Sequence, residues 1–343
     1  MLKPGLLVLW RDGRTLQVGV DPRRAVALAG LGRSAAGVLE TLDGSRDRAG
    51  VVAAAQERGI PAEAAERVLA LLAAGGALDH VPRTADRTLP APARRRLGPE
   101  MATAALAHRQ HDGGTAIIGR RRVSHVRVHG AGRIGPSVAS LLAASGVGRV
   151  TCAGPRPARP ADLAPAGLDR ADPAIPSERG AARAIRPIAP EADTVGGDGR
   201  PDLAVLTAPP GPRLIADLMD RRIPHLAVAA GEAIAVVGPL VLPGRSACIR
   251  CTDLTRRDRD PAWPLIAAQL SAGAEPSPAA CDAVLAAAAA TQAAAQALAF
   301  IDEPGVPPAA TGGTLELVLP GWRWRRRTWP VHYDCGCRRN DTV

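Results

Sequence analysis

"HGAGRIGPSVASLLAASGVGRVTCAGPRPARP", His129 to Pro160, is the stretch on which the fold turns. The run before it, SHVRVHG (124–130), reads as a strand that enters Gly130-Ala131-Gly132-Arg133-Ile134-Gly135. Pro136 then stands where the first turn of a helix tolerates a residue without an N–H. Glycines at such a junction let an anion approach backbone N–H groups at the positive end of the helix, which a side chain would block. The helix PSVASLLAASG (136–146) is followed by a second strand, GRVTCAG (148–154). Strand, glycines, helix and strand together predict an α/β, doubly wound, Rossmann-like domain. Gly130, Gly132, Arg133 and Gly135 are its candidate nucleotide- or anion-binding residues.

Upstream, Gly5–Asp21 alternates apolar and polar residues around Asp12-Gly13, a hairpin signal. Ser34–Ser45, Asp47–Ile60 and Pro61–His80 each have helical spacing, with Ser34 and Asp47 as N-caps and Pro61 in a first turn. The expectation is an N-terminal, winged-helix-like α+β module over 1–81. Val81–Glu100 is rich in Pro and Arg without periodicity and reads as a linker, and Met101–Gln110 reads as a short helix. Residues 82–121 are therefore a linker and lead-in helix, and 122–343 form the second domain.

The chain has 343 residues, 46% apolar, enough for two buried cores. A net charge of +10 invites a nucleic-acid reading, but only 2% of residues are aromatic and Lys3 is the only lysine among 43 Lys and Arg residues. Stacking platforms for single strands are scarce, so no nucleic-acid partner is expected. The Ala-dominated run from Cys281 to Phe300 carries Asp282, Gln292 and Gln296, which suits a buried helix better than a membrane span. The opening MLKPGLLVLW has no small-residue cleavage site after an apolar core, and a cytoplasmic location without membrane contact is expected.

The detail AASGVGRVTCAG resembles the ThiF/E1-like activating enzymes, in which such a GVG leads into the second strand. The resemblance extends through GAARAIRPIAPEA (180–192), PDLAVLTA (201–208) and the span from Arg221 to Cys251. It implies an adenylating fold, ATP with magnesium, and a homodimer. In that family an acid closes the second strand and holds the ribose, but here Thr151-Cys152-Ala153-Gly154-Pro155 stands there. An Asp after the fourth strand positions magnesium, but here the residues are Ala208-Pro209-Pro210-Gly211. The family's phosphate lysine has no counterpart, since Lys3 lies in the first module. Arg133, Arg170, Arg183 or Arg213 could replace its charge but not the metal carboxylate. These losses argue against adenylation, and the missing acid argues equally against an NAD-dependent oxidoreductase. The seven histidines show no spacing that suggests a catalytic pair or a metal ligand. The N-terminal order, with LDGS at Leu42–Ser45, resembles the PqqD-like peptide-recognition element of peptide-modification systems. That resemblance implies a leader peptide held as an added strand and a separate modifying enzyme as partner; a packing module without a ligand is the alternative.

Cys248-Ile249-Arg250-Cys251 and Cys335-Gly336-Cys337 form two close pairs, a four-thiolate pattern suited to structural zinc. Four sulfurs leave no open position for a catalytic water. Cys152 and Cys281 read as core residues rather than nucleophiles. CTDLTRRDRDPAWP (251–264) reads as a charged loop in which Arg256, Arg257, Asp258, Arg259 and Asp260 are candidate contact residues, with Trp263 as an aromatic anchor. WRWRRRTWPVHY (322–333) reads as a strand with Trp322 and Trp324 on one face and Arg on the other. The favoured function is peptide recognition on a degenerate ATP-site scaffold, with a working adenylyltransferase as the alternative.

Overall fold

Asp12 accepts a hydrogen bond from Arg14 N at 2.7 Å and turns the chain back on itself, so that β1 (Val8–Asp12) pairs antiparallel with β2 (Thr15–Val18). The computed structural model describes residues 1–80, 89–108, 110–154, 156–171, 175–197, 199–272 and 279–337. It divides into two units, Met1–Gly119 and Arg120–Val343. In the first, β3 (Val26–Leu28) adds to β2, a strand too short to carry an alternating signal in the sequence. Leu16, Val18, Val26 and Leu28 face a core completed by α1 (Gly32–Leu39), α2 (Arg48–Glu57) and α3 (Ala62–Ala74). Asp47 caps α2 by accepting from Gly50 N at 2.8 Å. Ser34 instead lies inside α1, which begins without a side-chain cap, and Pro61 is the N-cap of α3.

Part of the expected linker is helical. Residues 81–88 lie outside the described residues, but α4 (Ala91–Arg96) and α5 (Gly98–Ala107) follow. Leu89, Ala93 and Leu97, four apart, pack against Ile118 of α6 (Thr115–Val123). Only Ala93 lies inside α4, with Leu89 and Leu97 at its two ends, so these contacts come from a short helix among prolines and arginines that leaves no helical period in the sequence. The buried Lys3 ties the N-terminus to this region, its Nζ donating to Ala105 O at 2.6 Å and Gln110 O at 2.5 Å, with Asp79 at 3.9 Å.

The second unit runs β4 (His125–His129), α7 (Gly135–Ala144), β5 (Arg149–Ala153), α8 (Ser177–Ile185), β6 (Leu203–Leu206), α9 (Pro212–Asp220), β7 (His225–Gly231) and β8 (Ile234–Val241). It continues through α10 (Ile249–Arg259), α11 (Trp263–Ser271), α12 (Ala283–Asp302), β9 (Gly313–Val318) and β10 (Arg323–Thr328). The sheet order is β10-β9-β8-β7-β6-β4-β5. Strands β4 to β7 are parallel and β8 to β10 antiparallel, a mixed α/β sheet. From β4 the chain first builds outward to β5, then crosses to β6 on the other side. That reversal opens a crevice at the C-terminal end of β4, where open α/β sheets hold ligands.

Val126, Val128, Val150, Leu203, Val205 and Leu226 form one sheet face with α7 and α12. Helix α12 has the length and composition of a membrane-crossing helix, but it buries Leu285, Ala286, Ala289, Ala290 and Ala293 in this core. Asp282 caps it at Leu285 N, 2.7 Å, and Gln296 accepts from Ala310 N at 2.8 Å. Its last turn is pinned by Arg121, which donates to both carboxylate oxygens of Asp302 at 2.8 and 2.6 Å.

Candidate functional site

The end of β4 meets the end of β6 through one carbonyl. His129 O accepts from Thr207 N at 2.8 Å and from Thr207 Oγ1 at 3.1 Å. Gly130 has φ +118, and a Cβ built on it would lie 2.5 Å from Thr207 Oγ1. A Cβ on Gly135, the first residue of α7, would lie 2.9 Å from Gly130 O. Both glycines are required for the strand to turn into the helix at this distance. Gly132, at φ +91, is different, because no atom comes closer to its Cβ position than 3.8 Å. The four glycine-turn candidates are thus brought together at the crevice, with Gly132 on its open side.

Two side chains border that opening. Asp162 Oδ1 lies 3.8 Å and Arg156 Nη2 4.0 Å from the Gly132 Cβ position. They form a two-pronged pair, Nη1 to Oδ2 at 2.9 Å and Nη2 to Oδ1 at 3.2 Å, and Arg159 N donates to Asp162 Oδ2 at 2.8 Å. The expectation that no acid stands beside the glycine turn is therefore corrected. A carboxylate is there, supplied by a short 3-10 turn at Pro160–Asp162 beyond the strand end. The signal missed was the single acid in ARPADL, which falls outside the strand-terminal position where an acid was sought. Asp162 is buried and Arg156 partly open, so the pair presents more cation than anion to solvent.

Arg133 does not reach into the opening as a free cation. Its Nε donates to Ala161 O at 2.6 Å and its Nη1 to Cys281 O at 3.1 Å, fastening the loops on either side of the turn. Arg183 donates to Ala171 O at 3.0 Å, and Arg170 and Arg213 are exposed. Lys3 belongs to the other unit. The ends of β5 and β6 carry Ala153-Gly154 and Thr207-Ala208-Pro209-Pro210, none of which offers a carboxylate to a metal ion. Burial pushes the Cys152 thiol up to about 12, and burial also raises that of Cys281, so neither is poised as a nucleophile.

At the other end of the sheet, Cys248, Cys251, Cys335 and Cys337 place their sulfurs within 4.8 Å of one another. Cys248 Sγ is 3.7 Å from Cys251 and 3.4 Å from Cys335, and Cys251 is 3.5 Å from Cys337. A tetrahedral ion with metal–sulfur bonds of about 2.3 Å separates its sulfurs by about 3.8 Å. The four thiols therefore fit one metal ion with small shifts, and the tight Cys-x-Cys pair is no obstacle. The Cys248 thiol donates to Cys251 and lowers the pKa of that thiol, the direction that favours metal uptake. Val241, Ala247 and Trp329 pack around the cluster, in which Cys248, Cys251 and Cys335 are buried and Cys337 is half-buried.

The stretch 251–259 is helix rather than loop, and its charges are engaged within the unit. Cys248 is the N-cap of α10. Arg256 lies over the rings of Trp263 at 4.7 Å and Trp329 at 5.1 Å, and Trp263 Nε1 donates to Asp253 at 3.0 Å. Asp258 meets His332 Nε2 at 2.7 Å, and Arg257 bridges Asp258 and Asp334 at 2.8 and 3.1 Å. Alternating charges that suggested a solvated loop form an i, i+3 pair inside α10, Arg256 with Asp253, and long-range pairs that bind α10 to His332 and Asp334 beside the second cysteine pair. Arg259 and Asp260 are exposed.

No family model matches the sequence, and no curated protein matches it. Solved structures do. E. coli MccB with MccA-N7isoASN superposes with a TM-score of 0.71 over 99% of both chains at 15% identity. E. coli MccB with ATP gives 0.69 over 98% of both chains at 15% identity. PaaA gives 0.67 over 94% of this chain and 98% of its own at 17% identity. The likeness is one of fold, in keeping with the ThiF/E1-like architecture read from the sequence, and it runs through both units of the chain.

Proposed function

We propose that this chain recognises a peptide through its N-terminal unit and serves as a scaffold with a degenerate nucleotide turn, working beside a separate modifying enzyme. The observation that carries the reading is the pairing at the crevice. Arg133 is held by two carbonyls, Arg156 is held by Asp162, and the ends of β5 and β6 lack a metal carboxylate. Adenylation needs charge relief on a departing pyrophosphate, and among the described residues the arginines nearest the turn, Arg133 and Arg156, are already committed. The PqqD-like order of elements over 1–81 supports the peptide-binding half, as does the likeness to MccB, a microcin C7 biosynthetic enzyme solved in complex with N-formylated MccA.

Zinc is the ion this proposal assigns to Cys248, Cys251, Cys335 and Cys337, because a closed set of four thiolates selects it over oxygen-seeking ions. It would brace α10 against the chain after β10 and take no part in chemistry. A homodimer and a cytoplasmic location belong to the same reading.

One observation favours a second reading, an active ATP-dependent adenylyltransferase. Asp162 stands beside Gly132, and a structure of the same fold holds ATP. ATP–pyrophosphate exchange by the full chain, with and without candidate peptides, separates the two. The scaffold reading expects no exchange above background. Exchange that Asp162→Asn abolishes would establish the second reading in its place.

A further inference from the structure

Among the described residues, strand β10 ends the seven-stranded sheet with β9 as its only neighbour, and all six of its residues are exposed. Its register fixes which backbone groups are open. Trp329 N donates to Gly312 O at 2.9 Å, and the ladder carries this pairing on through Thr328↔Gly313 to Arg323↔Val318. Antiparallel pairs alternate between bonded and non-bonded positions. Arg323, Arg325 and Arg327 therefore bond to β9, and the N–H and C=O groups of Trp324, Arg326 and Thr328 point away from the sheet.

The side chains follow the same alternation. Arg327 is engaged by Glu316 at 3.1 Å and lies over Trp329 at 5.5 Å, and Arg326 donates to Ala309 O and Thr311 O at 2.8 and 3.2 Å. Arg323 and Arg325 make no ion pair among the described residues. Trp324 lies between them in the strand and Trp322 in the turn just before it, at φ +48, and the two are exposed to 37% and 45%. Charges alone on an edge strand serve to discourage pairing. Exposed tryptophans do the opposite, and in a chain of five Trp, one Tyr and one Phe three of the tryptophans fall between residues 322 and 329. Tryptophan and arginine around open backbone groups have the composition of a binding surface.

We propose that the β10 edge takes up an extended acidic peptide segment as an eighth strand. Its backbone bonds to Trp324, Arg326 and Thr328, and carboxylates on every second residue reach Arg323 and Arg325, while Trp322 and Trp324 cover its apolar positions. The site lies in the Arg120–Val343 unit and does not depend on the peptide reading of the N-terminal unit. A nucleic acid is the poorer fit, because its phosphates accept hydrogen bonds but cannot supply the donors that the outward carbonyls require.

The test uses the full chain and a fluorescein-labelled Glu-Thr octapeptide with alternating residues, followed by anisotropy. Binding is expected to weaken at least tenfold in Arg323→Glu/Arg325→Glu and to disappear when alternate peptide amides are N-methylated. Hydrogen exchange at the amides of Trp324, Arg326 and Thr328 should slow when the peptide is added. The N-methylated peptide is tested on the unaltered protein, so it decides the matter even if the double variant fails to fold. The proposal is overturned by absence of binding, by equal binding of the N-methylated peptide, by a folded double variant that binds as well as the parent, or by a single-stranded DNA octamer that binds through these arginines when the peptide does not.

Discussion

At the scale of single residues, the glycine turn contains positions that look equivalent in the sequence and differ in what they do. Gly130 and Gly132 both have φ in the left-handed half of conformational space, but only Gly130 lacks room for a side chain. Gly130→Ala combines backbone strain with a 2.5 Å overlap on Thr207 Oγ1, and it is expected to cost about 2–4 kcal/mol. Gly132→Ala carries the strain alone, about 1–2 kcal/mol, and should change anion binding more than folding. Urea denaturation of the two variants checks the order, and an equal loss of stability would show that the contact with Thr207 does not matter. The motif was legible because its glycines are local. Asp162 was not, because its nearness to Gly132 is made by a loop that returns after the strand, and chain position alone says nothing of where a loop returns.

At the scale of elements, the strands of the second unit bury histidines in a way that sets its response to acid. His125, at the start of β4, is buried and bonds to Thr151 Oγ1 at 2.9 Å, and His225, at the start of β7, is fully buried with Nδ1 on Ile223 O at 2.9 Å. Burial holds both below the usual 6.5, and that of His129 as well. The unfolded chain therefore binds protons below pH 6.5 that the native chain refuses, and stability falls as pH drops through that value. Each such histidine adds at most about 1.4 kcal/mol per pH unit to the slope. His225→Asn should flatten the dependence between pH 7 and pH 5 by up to one proton in urea titrations, and an unchanged slope would exclude its part. Asp258, which bonding to His332 and then Arg257 holds below the carboxylate range, acts only at lower pH.

The cysteine elements behave differently. They were legible in full, since paired thiols state their chemistry in the sequence. The helix between them and Trp263 was not, because its arginines and aspartates satisfy one another only once α10 is wound. One equivalent of metal by mass spectrometry is expected, with Cys335→Ser lowering both metal content and melting temperature. A variant that melts as the parent does would remove the metal from the stability of the fold.

At the scale of the whole molecule, the question is where an independently folding N-terminal piece ends. Sequence patterning stops at residue 81, where apolar periodicity gives way to Pro and Arg. The buried ionic group of that piece extends further. Lys3 is 1% exposed, and its ammonium is satisfied by Ala105 O and Gln110 O, with Asp79 farther off at 3.9 Å. Burial lowers the Lys3 pKa and raises that of Asp79, so each resists charging unless its partners are in place. A fragment ending at residue 81 keeps Lys3 and Asp79 but loses both carbonyls. A buried cation that loses its partners costs about 3–5 kcal/mol, close to the whole stability of so small a piece. Residues 1–119 should therefore melt cooperatively by circular dichroism, and residues 1–81 should be unfolded or molten. Within 1–119, Lys3→Met should be destabilising, and Asp79→Asn added to it should return part of the loss, because the orphaned acid is what the first change leaves behind. If 1–81 melts as sharply and as high as 1–119, Lys3 does not bind the two segments into one unit, and the boundary at residue 81 stands.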